Sequence, residues 1–302
     1  MKNLMEKLCS IVGAQQIRIN EPMSRHTTFR TGGPADYYVE PEDVQALSAV
    51  LKLCRAEKEP YYILGNGSNL LVGDGGYRGV MIALGKAWSS VTVEESRIRA
   101  GAGALLSAVS RQALEHALTG LEFAAGIPGT VGGAVVMNAG AYGSEMKQVL
   151  TAVTVLTEAG EIRTLPASEL ELGYRTSCIL RRGYVVLEAK FALTPGDETE
   201  IRGRMDDLAQ QRKSKQPLEY PSAGSTFKRP EGYFAGKLIQ DAGLRGYCVG
   251  GAQVSEKHCG FVINRGEATA ADIMELCRQV QEKVQEQFGV TLELEVKTLG
   301  EF

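Results

Sequence analysis

The segment from Gly126 to Gly143 is dominated by residues with small side chains. It contains six glycines, three alanines and no charged residue. Glycine lets the main chain approach a ligand closely and adopts backbone angles closed to other residues. A solvated linker is rich in Ser, Lys and Glu, whereas this segment carries Ile127, Val131 and Met137. We therefore expect a buried loop that holds a large flat or phosphorylated ligand.

The composition limits the class of protein. A chain of 302 residues suits about two domains, and 44% hydrophobic with 23% charged residues is typical of a globular protein. The net charge of −3 argues against a general nucleic-acid-binding protein. No apolar run approaches the ~20 residues of a membrane span. Residues 1–11 lack the apolar core of a signal peptide, so we expect a cytoplasmic protein.

The cysteines and histidines do not suggest a metal site. The six cysteines include no CxxC pair, and the three histidines are scattered along the chain. This spacing predicts no zinc or other metal centre. Isolated cysteines in a chain of this length fit buried thiols in a reducing compartment.

Hydrophobic periodicity predicts an α+β protein. Helices are expected over 41–58, 105–118 and 235–242, in a polar stretch that ends near Lys215, and after a capping Thr269. Strands are expected over 61–64, 79–84, 149–156, 162–165, 184–193 and 290–296. A compositional break at 195–200 separates a glycine-rich, strand-heavy part from a smaller and more helical part.

Two short glycine motifs could bind phosphate. Gly65-Asn-Gly-Ser-Asn69 follows an expected strand, but Leu70 stands where a dinucleotide-binding motif needs glycine. Its main-chain N–H groups and its Ser and Asn side chains could still cradle a pyrophosphate. The alternative is a hairpin turn. Arg30-Thr-Gly-Gly33 is by itself most consistent with a turn.

Four polar residues each admit a catalytic and a structural interpretation. Arg175 could recognise a carboxylate or phosphate, or form a surface salt bridge. Ser225 could be a nucleophile, a proton donor or a turn hydroxyl, and the missing Gly-x-Ser-x-Gly pattern disfavours an acyl hydrolase. Glu295 could be a catalytic acid, or share a solvated strand face with Glu293. His258 could be a base or a structural hydrogen-bonding residue.

The order of these motifs resembles the UDP-N-acetylenolpyruvoylglucosamine reductase family. The resemblance covers about residues 24 to 300, and although each motif is weak, their number and order make it specific. Its motifs are Arg30-Thr-Gly-Gly-Pro-Ala35, Leu64-Gly-Asn-Gly-Ser-Asn-Leu-Leu-Val72, Gly126-Ile-Pro-Gly-Thr-Val-Gly-Gly-Ala134, Asn138-Ala-Gly-Ala-Tyr-Gly143, Tyr174-Arg-Thr-Ser177, Ala223-Gly-Ser-Thr-Phe-Lys228, Gly236-Lys-Leu-Ile239, Ala242-Gly-Leu244, Gln253-Val-Ser-Glu-Lys-His258 and Ala268-Thr-Ala270.

The resemblance implies an FAD enzyme of peptidoglycan precursor synthesis. Its fold would be the two-subdomain FAD-binding fold of the vanillyl-alcohol-oxidase type, over 1–86 and 87–196. A smaller α+β substrate-binding domain would span 197–302, with a C-terminal strand returning to the active site. FAD would be bound non-covalently and reduced by NADPH. A hydride from flavin N5 would then convert UDP-N-acetylglucosamine enolpyruvate to UDP-N-acetylmuramate. No nucleic acid, membrane or obligatory protein partner is expected.

The resemblance also assigns roles to residues. Arg175 would stabilise the carboxylate and enolate, Ser225 would donate the proton, and Glu295 would stabilise the same intermediate. The residues expected to contact FAD are Thr31, Gly32, Gly65, Asn66, Gly67, Ser68, Asn69, Gly126, Pro128, Gly129, Gly132, Gly133, Asn138, Ala139 and Gly140. Those expected to contact substrate are Tyr174, Lys215, Lys228, Arg229, Gln253 and His258.

The chain departs from the family pattern at a few positions. Arg229 stands where asparagine is frequent, so a uridine or phosphate contact is expected to differ. The tail has Leu294-Glu-Val-Lys297 where Pro-Glu-Val-Arg is common, and the glutamate is kept. No tyrosine-bearing insertion lies between Tyr184 and Ser225, as in the shorter of the family's two subtypes. The alternatives are an FAD oxidase on the same scaffold and a nucleotide-binding sensor, which needs none of the three catalytic residues.

Overall fold

The computed structural model describes residues 3–302 and has eight α-helices within them. The helices are α1 Leu4–Val12, α2 Val44–Glu57, α3 Leu106–Glu115, α4 Val131–Val136, α5 Cys178–Arg181, α6 Glu198–Lys215, α7 Ala235–Asp241 and α8 Ala270–Phe288. In residues 3–302 no helix combines the length and the apolar character that crossing a membrane requires. The same residues contain no group of three or more His, Cys, Asp and Glu side chains able to hold a metal ion.

Eighteen strands complete the described part of the chain. They are β1 Ile17–Pro22, β2 Pro34–Val39, β3 Tyr61–Leu64, β4 Leu70–Val72, β5 Tyr77–Ala83, β6 Val91–Glu94, β7 Arg97–Gly101, β8 Leu118–Thr119, β9 Gly140–Ala141, β10 Ser144–Glu145, β11 Leu150–Leu156, β12 Ile162–Pro166, β13 Val185–Ala192, β14 Thr194–Pro195, β15 Cys248–Val249, β16 Ala252–Val254, β17 Val262–Asn264 and β18 Lys297–Leu299. The larger sheets have the orders β12-β11-β13-β7-β6, β1-β2-β5-β3 and β15-β16-β17.

Capping residues begin the two longest predicted amphipathic helices. The Asp43 carboxylate accepts a hydrogen bond of 2.7 Å from the N–H of Ala46 at the start of α2. At α8, Thr269 and Asp272 form a reciprocal capping box, with both hydrogen bonds at 3.0 Å. Such caps satisfy N–H groups that have no partner inside the helix. The predicted capped helix after Thr269 is therefore confirmed.

The chain forms two compact units, each made of several separate segments. Among the described residues, unit 1 comprises 3–18, 37–66 and 80–212, and unit 2 comprises 19–36, 67–79 and 213–302. Each unit gathers segments that lie far apart in the chain. The predicted division into 1–86, 87–196 and 197–302 stays a prediction.

Unit 1 is built around the five-stranded antiparallel sheet. Its core includes the fully buried Leu47 of α2, Ile98 of β7 and Val109 of α3, with Phe191 of β13 at 1% exposure. In a second sheet, β3 and β5 pair in parallel register. The apolar runs that predict these strands are therefore the residues that fill the core. The predicted helix at 105–118 ends at Glu115, because Ala117 adopts a left-handed φ of 52°.

Unit 2 has a smaller core formed by α7, α8 and the three-stranded sheet β15-β16-β17. Ile239 of α7 and Val280 of α8 are fully buried, as is Phe29 of the Arg30 motif. Strand β18 pairs in parallel with β4, so the last strand of the chain lies beside a strand that begins at Leu70.

The predicted strand over 290–296 is wrong. The segment makes one isolated bridge, between Leu294 and Phe227, and regular pairing begins only at Lys297. The N–H groups of Glu295 and Val296 both approach the carbonyl oxygen of Thr226, at 2.8 and 3.5 Å, so the chain bends and does not extend a ladder. Glu295 is therefore only 9% exposed and does not share a solvated face with Glu293.

Candidate functional site

The glycine-rich segment of unit 1 lies directly against the main chain of residues 102–104. Thr130 caps α4, and the next two N–H groups, of Val131 and Gly132, donate to the carbonyl oxygens of Ala104 and Ala102, each at 2.8 Å. A Cβ on Gly132 would lie 3.1 Å from that of Ala102. The small residues therefore permit a close main-chain contact, and part of the expected loop is a short helix.

The first glycine motif meets this segment at the end of β3. A Cβ on Gly65 would lie 2.5 Å from the Thr130 hydroxyl. The Asn66 side chain donates a hydrogen bond of 2.7 Å to the carbonyl oxygen of Pro128. Two motifs expected to contact FAD, 62 residues apart in the chain, are thus neighbours in unit 1. The segment after β3 is not a hairpin turn, because β3 pairs with β5 whereas β4 pairs with β18.

The later part of the glycine-rich segment holds a buried asparagine and a short hairpin. Asn138 is 1% exposed, and its side chain donates to the carbonyl oxygen of Gly173 at 3.1 Å and accepts from the N–H of Lys147 at 2.9 Å. Gly140 pairs with Glu145 in the β9–β10 hairpin. The expected FAD contacts of Asn138, Ala139 and Gly140 stay predictions. Both polar atoms of the Asn138 side chain are already hydrogen-bonded to main-chain groups within unit 1.

Arg175 occupies a tight turn in unit 1. Gly173 and Thr176 exchange main-chain hydrogen bonds of 3.1 and 3.3 Å, which leaves Tyr174 and Arg175 as the two connecting residues. Arg175 has a left-handed φ of 53°. Its guanidinium carbon lies 5.2 Å from the centroid of the Tyr174 ring, which is 53% exposed. The turn sets the direction in which the side chain of the half-buried Arg175 leaves the main chain.

Arg212 is a candidate that the sequence interpretation missed. A Cβ on Gly126 would lie 2.9 Å from one of its guanidinium nitrogens, so glycine makes room for the side chain. Burial lowers the pKa of Arg212, and the phenol of Tyr142 opposes that shift. The basic end of α6 is the sequence signal, but nothing local indicates that this arginine turns toward the glycine-rich segment.

In unit 2, three threonines lie in or just before the Arg30 motif. The Thr27 hydroxyl donates to the carbonyl oxygen of Thr31 at 3.0 Å and shapes the turn. The hydroxyl oxygens of Thr28 and Thr31 are buried and have no hydrogen-bond partner among residues 3–302. A buried hydroxyl without a partner costs about 1–3 kcal/mol. The diphosphate or ribityl oxygens of FAD would satisfy such groups, so these residues fit the cofactor.

Gly67 shows why the second half of its motif needs glycine. It has a φ of 59°, and a Cβ there would lie 2.0 Å from the carbonyl oxygen of His26. The Gly67 carbonyl oxygen accepts from the N–H of Thr28 at 3.2 Å. The His26 ring in turn contacts the buried Glu21 carboxylate at 2.8 Å. The segment around Gly67 and Ser68 is therefore packed on the loop that precedes Thr31 and Gly32.

Asn69 joins the glycine motif to the C-terminal segment. Its side chain donates to the carbonyl oxygen of Glu295 at 3.1 Å, and its own carbonyl oxygen accepts from the N–H of Lys297 at 3.0 Å. These bonds lie beside the parallel pair of β4 and β18. A residue expected to contact FAD is thus bonded directly to an expected catalytic residue.

Ser225 and Glu295 lie on neighbouring segments of unit 2. The N–H of Glu295 donates to the carbonyl oxygen of Thr226, the residue after Ser225, at 2.8 Å. Ser225 itself forms a bridge with Phe261. Gly224, with a φ of 76°, gives the chain the bend before the serine. The main chain of Glu295 is therefore bonded to the residue next to Ser225, although the two residues are 70 positions apart in the sequence; Ser225 is exposed and Glu295 is buried.

The expected substrate residues on the Ser225 segment already have partners. Lys228 forms an ion pair of 2.7 Å with the exposed Glu293 and lowers the pKa of that carboxyl. The guanidinium carbon of Arg229 lies 3.9 Å from the centroid of the exposed Phe234 ring. An exposed ion pair contributes about 0–1 kcal/mol, so a substrate anion could compete for Lys228. Phe234 is a neighbour of Arg229 that the sequence interpretation missed.

The remaining expected substrate residues have different environments. Lys215 is exposed at the end of α6. Gln253 is 8% exposed, donates to the carbonyl oxygen of Gly246 and accepts from Arg265. His258 is half-buried, its Nδ1 accepts from the N–H of Gly260 at 3.1 Å, and burial lowers its pKa. This geometry supports the structural interpretation of His258, and the expected substrate contacts of His258 and Gln253 stay predictions.

The chain is similar to known flavin-binding proteins and reductases. A family model described as an FAD binding domain matches residues 35–166, and one described as the UDP-N-acetylenolpyruvoylglucosamine reductase C-terminal domain matches residues 216–299. A relative named UDP-N-acetylenolpyruvoylglucosamine reductase from Agathobacter rectalis is 59% identical over 295 residues, covering 94% of each chain.

Two solved structures are also similar. The reductase of that name from Thermus caldophilus is 38% identical, with a TM-score of 0.81 over 94% of this chain and 99% of its own. A Phl p 4 variant described as a glucose oxidase is 13% identical, with a TM-score of 0.50 over 72% of this chain and 51% of its own. The second likeness shows the fold alone. Together these matches confirm the predicted α+β flavin-binding fold and FAD as the cofactor.

Proposed function

Because the chain belongs to the UDP-N-acetylenolpyruvoylglucosamine reductase family, we propose that it reduces UDP-N-acetylglucosamine enolpyruvate to UDP-N-acetylmuramate with NADPH. Family membership and the FAD-binding domain make it a flavin-dependent oxidoreductase of peptidoglycan synthesis. The observation that carries the specific reaction is the bond between the N–H of Glu295 and the carbonyl oxygen of Thr226. It joins the main chain of Glu295 to the residue that follows Ser225, which supports a shared role of the two residues at one reacting carbon.

The reaction adds a hydride and a proton across the enolpyruvyl double bond. When bound, FAD would supply the hydride for the terminal vinyl carbon. The neighbouring carbon then carries carbanion character beside the carboxylate and needs a proton. Ser225 would donate that proton, while Arg175 would hold the carboxylate and the developing enolate. Glu295 would stabilise the same intermediate from the segment next to Ser225.

A serine is a weak acid, so its surroundings must favour the alkoxide that remains. A strongly basic carbon is an adequate acceptor, and nearby positive charge would stabilise the anion. Lys228 lies three residues beyond Ser225 and is paired with the exposed carboxylate of Glu293. Binding of the substrate's carboxylate or diphosphate near Lys228 would replace Glu293 as the anionic partner of this lysine. Ser225 would recover its proton from water after product leaves.

Each unit, taken by itself, has groups that fit FAD. In unit 1 these are the Gly65 and Gly126–Gly143 segments, which contact each other through Thr130 and Pro128. In unit 2 they are the hydroxyls of Thr28 and Thr31, which have no partner among residues 3–302. Small residues for main-chain contact and buried hydroxyls are the groups that a flavin dinucleotide needs.

The decisive experiment separates the two half-reactions. Purified protein should be yellow, and NADPH should bleach it under anaerobic conditions. UDP-N-acetylglucosamine enolpyruvate should then restore the colour without oxygen. A protein that binds FAD but is reoxidised only by oxygen would be an oxidase on the same scaffold, and the reductase proposal would be wrong.

A further inference from the structure

We propose that Asn138 and Ser177 are positioning residues that hold the Arg175 turn against the glycine-rich segment. The proposal rests on the function proposed above, because it assumes that Arg175 contacts the substrate. It assigns the glycine-rich segment a second task besides holding FAD. All the residues concerned lie in unit 1.

The turn by itself determines only its own shape. The Gly173–Thr176 pair closes a loop of two residues, and the left-handed φ of Arg175 sets the direction of its side chain relative to that loop. Where the loop lies in unit 1 depends on bonds from its flanks. We expect the turn to shift when those flanking bonds are lost.

Asn138 holds the residue before the turn. Its amide nitrogen donates to the carbonyl oxygen of Gly173 at 3.1 Å, while its amide oxygen accepts from the N–H of Lys147 at 2.9 Å. Its φ of 42° is one that asparagine tolerates better than most residues. A side chain only 1% exposed that uses both polar atoms has little freedom. Asn138 therefore links the Arg175 turn to the rest of its own segment.

Ser177, the residue after the turn, anchors the other flank. Its hydroxyl donates to the carbonyl oxygen of Val136 at 2.8 Å and accepts from the N–H of Ile179 at 3.4 Å, at the start of α5. It is 3% exposed. Val136 and Asn138 flank a single residue, so both anchors come from one place, the end of α4. The turn is thus fastened on both flanks to the same short stretch.

This arrangement has a consequence for the reaction. A displacement of about 1 Å in a group that orients the reacting atoms can reduce the rate about 100-fold. Loss of either anchor would leave the Arg175 guanidinium present and charged but less well placed. The step that uses Arg175 should therefore slow more than the step that does not.

The test uses Asn138→Asp, which keeps the acceptor for Lys147 and removes the donor to Gly173. The matched control is Asn264→Asp in unit 2, because Asn264 is 3% exposed, donates to the carbonyl oxygen of Phe29 at 3.0 Å and accepts from the N–H of Gly266 at 2.8 Å. We expect Asn138→Asp to slow anaerobic reoxidation by UDP-N-acetylglucosamine enolpyruvate about 10- to 100-fold. Reduction by NADPH should change much less, and Asn264→Asp should not show this selectivity.

Two further readouts keep the role distinct from a general structural one. In a double-mutant cycle, Asn138→Asp should add little to the slow reoxidation of Arg175→Lys, because it acts through that arginine. Hydrogen–deuterium exchange of peptides covering 172–177 should accelerate in Asn138→Asp and in Ser177→Ala but not in Asn264→Asp. Ser177→Ala also provides a second variant should Asn138→Asp fold poorly.

The outcomes separate the two proposals. Selective slowing, a non-additive cycle and faster exchange at the turn would support positioning by Asn138 and Ser177. Additive effects, equal slowing of both half-reactions, or unchanged exchange at 172–177 would overturn it while the wild-type reductase reaction stands. Failure of the wild-type protein to be reoxidised by that substrate would overturn the proposed function and the positioning role together.

Discussion

The side-chain amide of Asn69 donates a hydrogen bond of 3.1 Å to the main-chain oxygen of Glu295. Residues 226 positions apart are thereby joined, and the bond lies next to the parallel pairing of β4 with β18. Since the N–H of Glu295 is bonded to Thr226, both main-chain polar groups of Glu295 are fixed. The position of its carboxylate therefore depends on two separate segments of unit 2.

Replacement of Asn69 should reveal this dependence. Asn69→Ala loses the bond and should lower the free energy of unfolding by about 1 kcal/mol. Asn69→Asp should be more destabilising than alanine, because a carboxylate oxygen would then face the carbonyl oxygen of Glu295. Denaturant midpoints of the three proteins, measured with equal FAD content, provide the comparison. If Asn69→Asp were as stable as wild type, the hydrogen bond from Asn69 to Glu295 would not contribute to the stability of the protein.

Substitution of Ser225 by alanine should affect one half-reaction only. Without the hydroxyl, the enolate carbon loses its proton donor, and reoxidation of reduced flavin by substrate should slow about 100-fold or more. Reduction by NADPH needs no such proton, so stopped-flow bleaching should keep its wild-type rate. Ser222→Ala, three residues earlier in the same segment, is the matched control. Equal slowing of both half-reactions would instead indicate a structural role for Ser225.

Local sequence signals predicted the regular elements well. The apolar run over 61–64 became β3 with those same bounds, and the Thr269–Asp272 capping box begins α8. Both signals act within a few residues, so a pattern can reveal them. The alternating pattern over 290–296 predicts a strand, and this prediction is wrong because the N–H groups of Glu295 and Val296 both approach the carbonyl oxygen of Thr226 in place of a strand partner.

The candidate site was only partly predictable, for a physical reason. Small residues mark places of close approach: Gly67 and Gly132 lie against the main chains of His26 and Ala102, and Gly65 lies against the Thr130 hydroxyl. Which residue each glycine contacts depends on the tertiary structure, and a local sequence pattern does not indicate it. The bonds from Asn138 to Gly173 and from Asn69 to Glu295 span 35 and 226 positions. Their residues were singled out as cofactor contacts, but their protein partners were not.

Asp74 offers a test of a long-range contact that the sequence interpretation missed. Its two carboxylate oxygens accept from the N–H groups of Ala270 and Ala271, at 2.8 and 2.9 Å, in the first turn of α8. Asp74→Asn keeps one acceptor and loses the negative charge that favours a helix N-terminus, so the free energy of unfolding should fall by about 1 kcal/mol. Thermal unfolding measures the effect. The exposed Glu267→Gln removes a nearby charge without those bonds and should change stability less.

The stability of the protein should depend on pH through His258. Burial lowers the pKa of His258 below its usual 6.5, so the folded protein disfavours the charged imidazolium. In addition, protonation of Nδ1 would abolish its hydrogen bond from the N–H of Gly260. As the pH falls below about 6.5, the unfolded chain takes up a proton that the folded chain does not, and stability is lost until the lowered pKa is reached.

His258→Asn keeps an acceptor near the N–H of Gly260 but has no proton to bind in this range. The free energy of unfolding of wild type minus that of the variant should therefore stay level well above pH 6.5 and decrease as the pH falls through and below about 6.5, by at most about 1.4 kcal/mol per pH unit, until the lowered pKa of the folded protein is reached. Urea unfolding at several pH values gives this difference directly, since the other titrating groups are shared by both proteins. Parallel stability curves would show that His258 titrates alike in the folded and unfolded chains, and the effect of burial would be refuted.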